Sequence, residues 1–263
     1  MVHISYGILC IKTSKEYYNT INRMLLSTAN IYPLGSICHN TKLDLFQQMK
    51  KHIQFLIISK KYSYSFFTIL MGKYDSDNIE YVKMLLDNLT KTELILLKTK
   101  DFKEIAKKHI KNISEEQLNK SLENYNKIKQ TLQNQDSSFE TPEWEIPKGK
   151  LLNNEEMIDG AIREFTEETS LERKDFTVYR NIEPIVEIFK GTDDKSYMYV
   201  YYIALLNNNV NIHKTSTQEA SIIKFMNLDE CLDNIRINKR KKIIYSLYLY
   251  LISKSINNNK LIF

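Results

Sequence analysis

Three carboxylates crowd together in the stretch from Gly149 to Leu171: Glu164, Glu167 and Glu168. Their spacing of i, i+3 and i+4 puts them on one face of a helix. At about 100° per residue, Ile158, Ala161, Ile162 and Phe165 fall on an adjoining face suited to packing. Arg163 lies one turn before Glu167, within reach of its carboxylate. Crowded acids repel one another, and a helix gains nothing from the crowding. A hard divalent cation resolves the conflict, because Mg2+ or Mn2+ prefers oxygen ligands and brings its own positive charge. Three Glu alone describe a solvated acidic face better than a metal site, so the surrounding order decides.

That order is specific. Gly149, five residues, Glu155, seven residues and then Arg163-Glu-Phe-Thr-Glu-Glu-Thr-Ser-Leu171 resembles the Nudix box, G-x5-E-x7-R-E-U-x-E-E-x-G-U. The match fails at one defined position, Ser170, where the family has Gly. That Gly ends the helix in a left-handed turn, which Ser adopts at a cost of roughly 1 kcal/mol. The substitution bears on the turn and leaves the carboxylates in place. Just before the box, Trp144-Glu-Ile-Pro-Lys-Gly-Lys150 resembles the W-x-x-P-K-G-K approach of mRNA-decapping Nudix enzymes. Many small-molecule Nudix hydrolases have P-G-G there, although some dinucleoside tetraphosphate hydrolases share P-K-G. Lys148 would set a cation beside a polyphosphate; the alternative is an ordinary solvated loop lysine.

The elements that must position these residues are partly legible. Ser5 to Ile11 and Gln54 to Ser59 read as strands, rich in β-branched and apolar residues. Between them, residues 14–51 show helical patterns over 16–27 and 42–52 around a loop at Pro33-Leu-Gly35, and read as an insertion. From Asp77 the pattern is helical over 77–89, 91–97, 102–109 and 114–132, with Ser114-Glu-Glu-Gln117 as a capping box. Gln133 to Ser138 reads as a linker. Beyond the box, 176–179, 185–189, 197–206 and 219–225 read as strands, the second and third joined by a turn through Gly191-Thr-Asp-Asp194. A closing helix over 240–253 presents Ile244, Leu247, Tyr248 and Leu251 as a packing face.

Composition sets the outer bounds. At 263 residues with 43% hydrophobic and 26% charged, the chain can bury a real core as one large domain or two small ones. A net charge of +5 is compatible with a polyanionic partner without requiring one. Cys10, Cys38 and Cys231 form no C-x-x-C motif and read as free thiols in a reducing compartment. The apolar runs 4–11 and 243–252 are too short for a signal peptide or a bilayer span, so no membrane association is expected. Charge gathers twice: seven Lys against three acidic residues over Lys91 to Lys111, and Arg236 with Lys239, Arg240, Lys241 and Lys242 at the closing helix. The first group, with Tyr62, Tyr64, Phe66 and Phe67 nearby, is a candidate nucleic-acid surface or a solvated Lys-rich helix.

Taken together, the chain resembles the Nudix decapping enzymes of large cytoplasmic DNA viruses, the asfarvirus type more closely than the poxvirus type. The resemblance rests on Ser5-x-Gly7-Ile8, Lys61-Tyr62-Ser63, Trp144 to Lys150 and the box, and more weakly on Leu94-x-x-Leu97-Lys98-Thr99-x-Asp101-Phe102. It implies an α+β fold: a Nudix α/β/α sandwich, residues 1–63 and 140–263, interrupted by a helical RNA-binding domain at 64–139. It implies Mg2+ or Mn2+ held by Glu164, Glu167 and Glu168 beside Gly149, with Lys148 assisting and Glu168 or Glu219 taking a proton. It implies capped RNA as partner in the cytoplasm, that of the host if the chain is viral, cleaved to methylated guanosine diphosphate and 5′-monophosphate RNA. Lys98, Lys100, Lys103, Lys107, Lys108 and Arg240 are the expected RNA contacts. No protein partner is indicated. The aromatics that stack on the cap stay open among Tyr62, Tyr64, Phe66, Trp144, Tyr197 and Tyr199. Two other readings remain: a Nudix hydrolase of small polyphosphates, such as dinucleoside polyphosphates or diphosphoinositol phosphates, and a non-catalytic RNA-binding Nudix module.

Overall fold

The computed structural model describes residues 2–26, 47, 49–191, 195–208, 210, 216–217 and 220–257. The chain divides into two compact units, 1–59 with 144–263, and 60–143.

In the first unit, β1 (Val2–Thr13) and β7 (Ser196–Leu206) run parallel in register from Val2 opposite Ser196 to Ile11 opposite Leu205. Antiparallel neighbours extend this centre: β2 (Ile53–Lys60) on β1, and β5 (Phe176–Val178) and β6 (Ile185–Lys190) on β7. The short strands β3 (Trp144–Glu145) and β4 (Lys148–Gly149) pair with β2 and β1, and β8 (Ala220–Met226) pairs with β2. Residues 6–11 of β1 are buried throughout, as in a strand covered on both faces. Alternation then assigns the faces. Ile8, Cys10, Leu56 and Ile58 meet Ala161 and Phe165 of α7 (Met157–Thr169). Leu9, Ile11, Phe55 and Ile57 share a core with α1 (Lys15–Leu26), α8 (Leu228–Asn234) and α9 (Asn238–Asn257). The result is an α/β/α sandwich of the expected α+β class. Ile244, Leu247, Tyr248 and Leu251 of α9 are all buried, as their spacing predicts.

The second unit is helical: α2 (Tyr64–Met71), α3 (Ile79–Asp87), α4 (Lys91–Thr99), α5 (Phe102–His109) and α6 (Glu115–Gln133) around their own core. The sequence pattern misses α2. Its run Tyr-Ser-Phe-Phe-Thr-Ile-Leu-Met is apolar nearly all round, so it has no polar face to mark a period. Ser63 Oγ accepts from Phe66 N at 3.0 Å at its start, and Gly72 at φ 61° ends it. Ser114 caps α6, but the reciprocal half of the expected capping box is absent: Gln117 Nε2 donates to Met71 O. The full box is at Thr90 and Glu93, and the buried Glu93 carboxylate also accepts from Ser63 N and Oγ.

Part of the 14–51 segment, the 192–194 turn, Cys38 and Glu219 lie outside the described residues. Cys10 and Cys231 are free and buried. Among the described residues, no helix is long and apolar enough to cross a membrane.

Candidate active site

The acidic face of α7 is held by one guanidinium. Arg163 Nε and Nη2 grip Glu155 at 2.9 and 3.0 Å, while Nη1 reaches Glu164 at 2.9 Å and Glu167 at 3.3 Å. Nη2 also donates to Lys150 O at 2.8 Å, tying the loop before the helix to the helix itself. The two-pronged contact with Glu155 keeps that carboxyl below its ordinary range and pushes the Arg163 guanidinium further up. Arg163 thus does more than steady Glu167: it offsets the repulsion among three acids.

Glu164 and Glu168 meet strand β4. Glu168 is almost fully buried, and its Oε2 accepts the Lys148 amide at 2.9 Å. Gly149 follows directly, and a Cβ there would fall on the Glu164 carboxylate. Only glycine leaves that carboxylate its place. Ser170 takes the left-handed conformation, φ 57° and ψ 17°, and its N–H closes the helix on Thr166 O at 2.9 Å. The turn geometry therefore survives without Gly.

Lys148 departs from expectation. Its side chain is buried, with Nζ 2.5 Å from Glu145 Oε2 and over the Tyr199 ring at 4.8 Å. It is not a solvated loop lysine, and its charge is already balanced by Glu145. Arg240, an expected RNA contact, is a correction: at 7% exposure it is buried, with Nη1 3.5 Å from Glu145 and its guanidinium 5.8 Å from the Tyr199 ring. A buried side chain gives no surface to a polyanion. Of the expected lysines of the helical unit, Lys98 donates to Gln135 O, Lys103 to Asn119 and Lys107 to Glu115, whereas Lys100 and Lys108 stand exposed. Among the aromatic candidates, Phe66 is fully buried and Tyr62 stacks on it. Tyr197 stacks on both His3 and Phe189, Trp144 packs on the sheet core, and Tyr64 is exposed. Sequence reasoning missed Glu145 and Glu187. Glu187 is buried on the same face, and burial raises its carboxyl.

Among the described residues, no three Asp, Glu, His or Cys side chains converge into a ready-made metal cage. The donors nevertheless suit a hard cation: the Glu164 carboxylate lies against Gly149, where any Cβ would strike it, and Glu168 Oε2 sits on the neighbouring Lys148 amide.

The family model described as NUDIX domain matches residues 128–247. A protein of Acanthamoeba polyphaga mimivirus, provisionally named an mRNA-decapping protein, is 28% identical over 83% of this chain and 71% of its own. An mRNA-decapping protein of African swine fever virus is 28% identical over 67% of this chain and 79% of its own. An Ap4A hydrolase structure from C. elegans aligns over 96% of this chain and 99% of its own, at 12% identity and a TM-score of 0.47. The box, the sandwich and the family match agree: the chain carries a NUDIX domain over residues 128–247 and is similar to viral mRNA-decapping proteins.

Proposed function

We propose that this chain is an mRNA-decapping Nudix hydrolase, cleaving the cap pyrophosphate to release methylated guanosine diphosphate and 5′-monophosphate RNA in the cytoplasm. The observation that carries this reading is the docking of a decapping-type approach strand on the acids. In it the Lys148 amide meets Glu168 and Gly149 makes room for Glu164. The names of the viral relatives agree with it.

Glu164, Glu167 and Glu168, beside Gly149, are the residues that would hold Mg2+ or Mn2+. Such an ion, when bound, supplies positive charge at the pyrophosphate and makes water a nucleophile at neutral pH. Arg163 bridges Glu164 and Glu167 through Nη1 and so orients both. Glu168 is the proposed acceptor of the attacking water's proton, with Glu219 as the other acid of the initial set. The helical unit is the proposed RNA-binding domain. Its charges nearly balance, 14 Lys against 13 Asp and Glu over residues 60–143, so binding rests on the local excess over 91–111 and not on the unit's net charge.

Cap-labelled RNA incubated with Mn2+ tests the proposal. Methylated guanosine diphosphate is the expected nucleotide product, with uncapped RNA of the same length competing. Release of the monophosphate, or cleavage of dinucleoside polyphosphates with none of capped RNA, would overturn the substrate class.

A further inference from the structure

Lys148 is the point where the two faces of the sheet meet. Its amide serves the α7 face by donating to Glu168 at 2.9 Å. Its side chain serves the opposite face, where Tyr199 packs on the core formed with α1, α8 and α9. There Nζ is bonded to Glu145, and Glu145 is in turn 3.5 Å from Arg240 of α9. The side chains of Lys148, Glu145 and Arg240 are 8%, 11% and 8% exposed, so their mutual attraction is little screened.

The backbone at this point has no slack. Gly7 of β1 lies directly against it, and a Cβ on Gly7 would strike Pro147 O and the Lys148 Cβ. Ile8 N donates to Pro147 O at 3.2 Å, and Gly7 pairs with Lys148 in the β1–β4 register. With β1 behind it and the side chain anchored at its tip, the amide aimed at Glu168 has few ways to turn. Losing the anchor frees the long Lys148 side chain, and a two-residue strand is poorly able to keep its register alone.

We infer that Glu145 and Arg240 are positioning residues for the carboxylate site. They act through Lys148 to fix the amide that orients Glu168, so that α9 contributes to ion binding on the face it does not touch. The inference rests on the proposed role of Glu168 as an ion ligand. Partners that orient a ligand typically change metal affinity 10- to 100-fold when removed; the lower end applies here because one residue intervenes.

The test is Mn2+ binding by the full chain without substrate, read from the EPR signal of free Mn2+. Glu145→Gln and Lys148→Met should each weaken binding about tenfold, and the double variant should be no weaker than the worse single. Arg240→Lys, which keeps the charge, should bind more tightly than Arg240→Met, and it covers the case in which Arg240→Met fails to fold. Wild-type affinity in both Glu145→Gln and Lys148→Met would overturn the inference. Losses that multiply in the double variant would also overturn it, because the two residues would then act separately. If the wild-type protein binds no Mn2+ at all, the carboxylate reading itself falls, and this inference with it.

Discussion

The two faces of the central sheet handle clustered charge in opposite ways. On the α7 face the acids are neighbours in sequence, and Arg163 reaches Glu155, Glu164 and Glu167 from within the same short stretch. On the α9 face one local pair, Glu145 and Lys148, is completed from far along the chain. Glu145, Lys148 and Arg240 span nearly a hundred residues, and Glu187 joins from β6 with Arg240, Lys148 and Lys239 acting on it. The first face is a site written in one helix and its approach. The second exists only once the chain has folded. Lys148 belongs to both, which makes the comparison open to experiment.

The largest effect short of losing a carboxylate should come from Gly149. Gly149→Ala puts a methyl where the Glu164 carboxylate lies, so hydrolysis should fall about 100-fold while the thermal midpoint moves little. If the variant keeps wild-type turnover, Glu164 does not need its observed place.

The helical unit offers a contrast to both faces, since its Lys100, Lys108 and Lys111 stand exposed. Reversing Lys100, Lys108 and Lys111 to Glu should weaken binding of long capped RNA roughly tenfold at low salt and flatten its salt dependence. Cleavage of a cap dinucleotide should be unaffected. Lys98, Lys103 and Lys107 are poorer targets, because each already bonds within the unit. Equal RNA affinity in wild type and variant would remove the RNA-binding role.

A smaller effect concerns Glu187. Burial raises its carboxyl, so in the fold it keeps its proton at pH values where the unfolded chain has lost it. Its ionisation therefore works against folding: stability falls as pH rises from the ordinary carboxylate range through the raised value, and stays lower above it. Glu187→Gln should melt higher than wild type at about pH 8 and match it near about pH 4. A lower melting point at high pH would mean that Arg240, Lys148 and Lys239 need the charge.

The smallest effect is at Ser170, which sits at φ 57°. Ser170→Gly should stabilise by roughly 1 kcal/mol and leave turnover unchanged, as expected if the departure from the box affects only the helix end. Chemical denaturation would show it.

What the sequence made legible follows the same division. The box, the acidic face, Arg163 and the packing face of α9 depend on spacing within one element, and spacing survives in the sequence. The two-residue strands β3 and β4 are too short to show alternation. The Lys148 anchor, Glu145, is only three residues away, but the Arg240 that joins them comes from a helix far downstream, and α2 hides in a nearly unbroken apolar run. Arg240 looked like part of an exposed basic cluster because composition records charge and not burial.

The central claim is that the carboxylates of α7 perform the hydrolysis. The direct measurement is turnover of cap-labelled RNA with Mn2+ by Glu168→Gln, beside circular dichroism and RNA affinity of the same protein. The account predicts hydrolysis down by at least about 100-fold, with folding and RNA binding close to wild type. A folded Glu168→Gln protein that decaps at the wild-type rate would contradict it.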